Sequence, residues 1–144
     1  MTTREEESDV INVFKQKNRS HSLVLYSCTS GYPVSFEDVY LLEIRRLKDL
    51  YSSSIKSVGF SGHHKGIAID ISAYTLGAEY IERHFTLDRT WKGTDHAASL
   101  EPAGMSKLVR DLSATHKAID NKTSDIVEVE IEQRKKLKYK RDNK

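Results

Sequence analysis

"IKSVGFSGHHKGIAIDISAYTLGAEYIERHFTL" (residues 55–87) is the stretch on which the fold turns. It opens on a short apolar run, residues 55–61, that reads as a strand. "GIAIDISAYTLGA" then reads as a mostly apolar helix closing at Gly77, which suits the left-handed position after a helix end. "EYIERHFTL", residues 79–87, is the next strand. A strand, a helix-length crossover and a strand make a unit whose strands run parallel, with a right-handed connection.

The same alternation extends in both directions. "MTTREEESDVINVFKQ" reads as a helix: Thr3 and Glu6 have capping-box spacing, and acidic residues crowd the first turn, where the helix dipole favours them. Val10, Ile11 and Phe14 form its expected buried stripe. "HSLVLYS" (21–27) is a strand, and "CTSGYPVS" a loop marked by Gly31 and Pro33. Phe36 to Tyr51 is expected to be an amphipathic helix buried through Val39, Leu42, Leu47 and Leu50. Beyond the loop "DRTWKGTDHAA", Ser99 is the expected cap of a last helix, with Pro102 in its first turn and Met105, Leu108, Val109 and Leu112 on its buried face. Helices and three parallel strands alternate throughout. In such sheets chemistry gathers at the carboxyl ends of the strands, here Cys28 to Tyr32, Ser61 to His64 and His84 to Asp95.

Composition sets outer bounds. The chain has 144 residues, enough for one domain, and its 38% hydrophobic and 31% charged content is that of a soluble globular protein. No apolar run approaches the roughly 18–20 residues a bilayer span needs, and no secretory signal is read at the start. The single cysteine, Cys28, cannot form an internal disulfide, which agrees with an expected cytoplasmic location. The net charge of +2 is uneven: "RKKLKYKRDNK" (134–144) carries +6, leaving −4 on residues 1–133. We therefore divide the chain into a body, 1–133, and a basic tail, 134–144. The tail is either a phosphate or nucleic-acid contact or a solvated terminus.

His63 and His84 stand at the ends of neighbouring parallel strands. Such strands lie about 4.8 Å apart, so two imidazoles there can reach one metal ion. Two histidines leave open positions for water or substrate oxygens, which suits Lewis-acid work on a carbonyl and Mn²⁺ or Mg²⁺ more than structural Zn²⁺. The spacing equally allows one core histidine and one exposed one. Asp95 is either a carboxylate that grips a hydroxylated ligand or a turn residue. Ser61, among Gly59, Gly62 and Gly66, could meet a phosphate; Tyr32 could stack on a ligand or simply pack a turn. His64 and His96 are left as supporting or exposed residues.

These segments resemble the sialic acid (N-acetylneuraminate) synthase family, which includes legionaminic and pseudaminic acid synthases. The Gly-Phe-Ser-x-His segment, Glu-x-His-Phe-Thr-Leu-Asp, the Asp-His loop and Ser-Leu-Glu-Pro occur in the family's order and spacing, and "CTSGYP" is similar to its Thr-x-x-Tyr-Pro. The resemblance implies a (β/α)₈ TIM barrel. It also implies an activity: condensation of phosphoenolpyruvate with an N-acetylated aldose (N-acetylmannosamine or a 6-deoxy diacetamido sugar), giving a nine-carbon 2-keto acid and phosphate. By matched position it implies His63 and His84 as ligands of a divalent metal, Mn²⁺ or else Mg²⁺. It implies Asp95 and Tyr32 as sugar contacts, and Ser61 as a phosphoenolpyruvate contact. Ser30 falls where many members have a substrate-contacting Asn, and Gly62 replaces the commonest Asp.

The three strands correspond to the last three of the eight-stranded barrel, so the expected fold is α/β, a partial barrel. The lysines that neutralise phosphoenolpyruvate and a glutamate central to the family's chemistry have no counterpart here. No residue of this chain is assigned a catalytic role, and the chain alone is expected to be inactive. Its open sheet edges predict self-association or a complementary first-half barrel as partner. The reading in a different class is a non-catalytic α/β protein that contacts an acidic partner or nucleic acid through the tail. The strand-end loops lack the aromatic-rich surface of single-strand binders, which counts against nucleic acid.

Overall fold

The computed structural model describes residues 1–138. Helix α1 (Arg4–Gln16) opens on the expected capping box: Thr3 Oγ1 accepts from the Glu6 N–H at 3.2 Å, and the Glu6 carboxylate accepts from the Thr3 N–H at 2.7 Å. Then come β1 (Val24–Cys28), α2 (Glu43–Tyr51), β2 (Ser57–Gly62), α3 (Ala68–Thr75), β3 (Tyr80–Arg83), α4 (Pro102–Ala118) and α5 (Glu128–Leu137). Short 3₁₀ turns lie at Ser20–Ser22, Phe36–Asp38 and His96–Ala98. Among the described residues no helix is long and apolar enough to cross a membrane.

The strands form a parallel sheet in the order β1-β2-β3, as the alternating pattern predicts. Register partners share a face, because side chains alternate along a strand. Leu25 and Val58 lie on one face with Ser27, Phe60 and Ile81, and α2 and α3 cover them. There Val58, Phe60, Ile44, Leu47 and Ala73 make the buried core. The other face carries Tyr26, Gly59 and Tyr80 in one row and Cys28, Ser61 and Glu82 in the next. It holds polar and aromatic side chains, and Tyr26 is 43% exposed. In a closed barrel this face would be the interior one.

Some expectations shift. Residues 36–42 do not continue the second helix: Tyr40 adopts a left-handed φ of 52°, so the helical count restarts at Glu43. The buried set is then Val39, Ile44 and Leu47, while Leu42 (68% exposed) and Leu50 face solvent. Val10 and Val109 are exposed as well. Helix α4 packs chiefly on α3, so its buried stripe narrows to Leu108. Glu101, not Ser99, occupies the cap position before Pro102; Ser99 Oγ donates instead to the Asp95 carbonyl at 2.8 Å. The third strand ends at Arg83, but Leu100 forms a bridge to Phe85 and covers part of that edge, which the sequence reading left open. Helix α5 was not expected and runs across residue 134. The rest of the basic tail, residues 139–144, lies outside the described residues.

Candidate functional site

Gly62 and Arg83 are register partners at the ends of β2 and β3, so His63 and His84 form the next pair along the sheet. Their rings meet edge to face with centroids 5.0 Å apart. His63 is 5% exposed. Its Nδ1 lies 2.9 Å from the Thr29 carbonyl oxygen, so Nδ1 carries the proton and Nε2 is left as the free ring nitrogen. The His84 carbonyl accepts from the Leu100 N–H at 2.8 Å, and its Nδ1 faces Asp95 Oδ2 at 3.5 Å. Tyr32 stacks at a tilt on both rings, at 4.5 Å from His63 and 5.4 Å from His84. The four residues thus converge from three separate loops.

The Asp95 loop is itself pinned. Thr94 Oγ1 donates to Asp95 Oδ1 at 2.7 Å, and His96 Nδ1 pairs with Thr86 Oγ1 at 2.8 Å. At the loop's start, Asp88 accepts from the Thr90 hydroxyl at 2.7 Å and the Thr90 N–H at 2.8 Å. These bonds favour the carboxylate and hold the Asp88 carboxyl below its usual value of 3.8. An open cleft of about 330 Å³ lies between this loop and His84, lined by Gly93, Thr94, Asp95 and Ser99 among others. A larger cleft, about 510 Å³, lies between α1, β1 and α2. Its charges are already paired, Arg4 with Glu43 and Arg46 with Glu7, so it has little left to offer a ligand.

Ser61 sits one layer below the histidines, buried, and its hydroxyl donates to the Glu82 carboxylate of the neighbouring strand. Ser30 is exposed on the loop between Thr29 and Tyr32 and makes no hydrogen bond to the group among the described residues. Two nearby residues were given no site role in the sequence reading: Glu82, and Cys28, whose Sγ lies 3.9 Å from His63 Nδ1. Strand alternation could have found Glu82, since it stands two residues before His84 and so shares its face. Behind the histidines, His64, Asp70 and Arg83 form a buried polar cluster that no spacing rule pointed to.

The donors suit a divalent ion bound through imidazole nitrogens. Thr29 occupies Nδ1 of His63 and Asp95 faces Nδ1 of His84, so both Nε2 atoms are available. Among the described residues no three His, Cys, Asp or Glu side chains are grouped to hold a metal by themselves. The pair therefore fits as two ligands of an open site, with its other positions left to water, substrate or further strands.

Parallel strands, helices on one face and a polar constellation at the strands' carboxyl ends define a segment of an α/β barrel, with its site at the end where such barrels carry their chemistry. The chain belongs to the NeuB family, whose profile matches residues 1–124. It is 44% identical over 110 residues to the N-acetylneuraminate-9-phosphate synthase of Homo sapiens, covering 76% of this chain and 30% of that protein. The N,N'-diacetyllegionaminic acid synthase of Campylobacter jejuni is 38% identical over 112 residues, or 77% of this chain and 33% of the relative. Among solved structures, the N-acetylneuraminic acid synthetase of Leptospira borgpetersenii superposes with a TM-score of 0.78 at 34% identity, over 97% of this chain and 48% of that one. The chain is thus a homologue of sugar-acid synthases and spans about a third of the length of these curated relatives.

Proposed function

We propose that this chain carries the metal-binding and sugar-binding side of a NeuB-type synthase site. The reaction joins phosphoenolpyruvate to an N-acylated aldose. The carbon–carbon bond forms between carbon 3 of phosphoenolpyruvate and the sugar's aldehyde carbon. Water then adds at carbon 2, and the carbon–oxygen bond to phosphate breaks, leaving a 2-keto acid and inorganic phosphate. The observation that carries the reading is the convergence of His63, His84, Tyr32 and Asp95 at the sheet's carboxyl end.

In this assignment the Nε2 atoms of His63 and His84 hold a divalent metal, Mn²⁺ or Mg²⁺. When bound, it supplies Lewis acidity to the sugar's carbonyl oxygen. Tyr32 packs on the two imidazoles and presents its ring and hydroxyl to the sugar. Asp95 accepts hydrogen bonds from sugar hydroxyls, its own orientation set by Thr94. Ser61 contacts phosphoenolpyruvate once its hydroxyl leaves Glu82, and Ser30 is assigned a weaker contact with the same substrate. The cations that neutralise phosphoenolpyruvate come from strands outside this sequence, so the chain by itself is inactive in this reading. Its partner is a polypeptide segment that supplies the first strands of the barrel. In this reading the body is residues 1–133, and 134–144 is a basic stretch of charge +6 whose first residues belong to α5.

Calorimetric titration of Mn²⁺ into the chain tests the core of the proposal. Stoichiometric binding that is lost in both His63→Ala and His84→Ala is the expected result. A folded chain that takes up no Mn²⁺ overturns the metal assignment. Mixing the chain with the first five strands of a family relative is the second arm. Phosphate release that needs both phosphoenolpyruvate and an N-acylated sugar is expected there, and its absence in a formed complex counts against the synthase reading.

A further inference from the structure

Arg83 ends β3 immediately before His84, yet it points away from the histidine pair into the opposite, helix-covered side of the sheet. Its side chain is 1% exposed and pairs with Asp70 of α3, itself fully buried, through Nη1 to Oδ2 at 2.5 Å. Nη1 also reaches the Gly66 carbonyl at 2.8 Å and His64 Nε2 at 3.1 Å. Nη2 donates to the His64 carbonyl at 2.7 Å and the Ala98 carbonyl at 3.2 Å. One guanidinium thus ties together three segments: the His64–Gly66 loop directly after His63, its own strand end directly before His84, and the 3₁₀ turn directly after Asp95.

We propose that Arg83 is the positioning residue for the histidine pair, holding the three segments that carry His63, His84 and Asp95 in a single arrangement. The proposal rests on the metal-site reading above. Three features support a dedicated role over incidental packing. The bonds use the planar fork of the guanidinium, which offers five donors in fixed directions; a lysine ammonium has three donors on a flexible stem and cannot serve the Asp70 carboxylate and all three carbonyls at once. Position 62 also has no room for a side chain: a Cβ there would lie 2.9 Å from His64 Cε1 and 3.0 Å from Arg83 Cδ. Gly62 therefore leaves the space this cluster fills. The cluster is not fully satisfied, since His64 Nδ1, Asp70 Oδ1 and Arg83 Nε have no partner among the described residues. An arrangement held for core stability alone would be better served by apolar side chains.

The test compares the full chain with Arg83→Lys and with the double substitution Arg83→Met, Asp70→Leu. The double variant removes both buried charges and so preserves the fold if the lysine variant does not. Ile44→Val, in the core away from the cluster, serves as a control for lost stability. Two quantities are read: the nuclear Overhauser contact between the His63 and His84 rings without metal, and the affinity for Mn²⁺. Expected are loss or strong weakening of the ring contact and a roughly 10- to 100-fold weaker Mn²⁺ affinity in the Arg83 variants, with both unchanged in Ile44→Val. A folded Arg83 variant that keeps the ring contact overturns the positioning role, whatever its melting temperature. If the unsubstituted chain binds no Mn²⁺, the metal reading fails, and the ring contact still decides whether Arg83 positions the pair.

Discussion

His63 donates its Nδ1 proton to the Thr29 carbonyl, and that single bond decides which nitrogen the ring offers to the site. The carbonyl comes from the end of the neighbouring strand, so a backbone atom, not a side chain, sets the tautomer. Gly77 works at the same scale by a different means. It holds a φ of +103° after α3, and its N–H and that of Ala78 return to the Tyr74 and Ala73 carbonyls. A side chain at that φ is strained, so Gly77→Ala is expected to cost about 1–2 kcal/mol, measurable as a lower midpoint in urea. Asp88 gives a prediction in pH. Its carboxyl is held below 3.8 by the Thr90 hydroxyl and N–H, so its folded value is depressed. A depressed carboxylate contributes stability that is present above its unfolded value and lost as pH falls through the lower folded one. The Thr90 amide resonance should therefore shift on acidification with a midpoint below 3.8. A midpoint above that value would contradict the bond.

Between elements, the helices divide their work unequally. Helices α2 and α3 bury the sheet through Ile44, Leu47 and Ala73 against Val58 and Phe60, and here packing is dense enough for deletions to be felt. Phe60→Ala is expected to cost about 3–5 kcal/mol and Ile44→Ala about 2–5 kcal/mol in equilibrium unfolding. Helix α1 is joined to α2 by Arg46–Glu7 at 2.7 Å and by the exposed pair Arg4–Glu43, and it buries mainly Ile11. Its start depends on the capping box, so Thr3→Ala should cost about 1 kcal/mol and loosen α1 first, as amide exchange would show. Beyond β3, the Leu100 N–H bound to the His84 carbonyl and the Thr86 N–H bound to the Leu100 carbonyl continue the sheet for two bonds. That short strap holds the second histidine in line after the regular strand has ended.

At the scale of the whole molecule, the three parallel strands leave the outer edge of β1 unpaired among the described residues, and α2 and α3 cover one face of the sheet. Exposed edges recruit other strands, so the chain should associate as its concentration rises in sedimentation, and a first-half barrel segment should suppress that association. A chain that stays monomeric at every concentration would show that the edge is protected by other means. By itself the sequence determined the order of the main elements from α1 to α4, the parallel sheet and where candidate residues follow its strands. Apolar periods, the Thr3–Glu6 cap and Gly77 are local signals, and each acts within a few residues. It also singled out His63, His84, Tyr32 and Asp95 as candidates because they follow strand ends, and the family resemblance gave each its expected role. What it could not determine depends on contacts across the fold. The break at Tyr40 moved the buried stripe from Leu42 to Ile44, and the Leu100 strap closed part of an edge. The Ser61–Glu82 bond exists only through strand register, and Arg83 meets Asp70 and Ala98 only because α3 and the 3₁₀ turn fold back over β3. A guanidinium's partners lie wherever the chain returns in space, and that return is a property of tertiary packing, invisible to any period along the sequence.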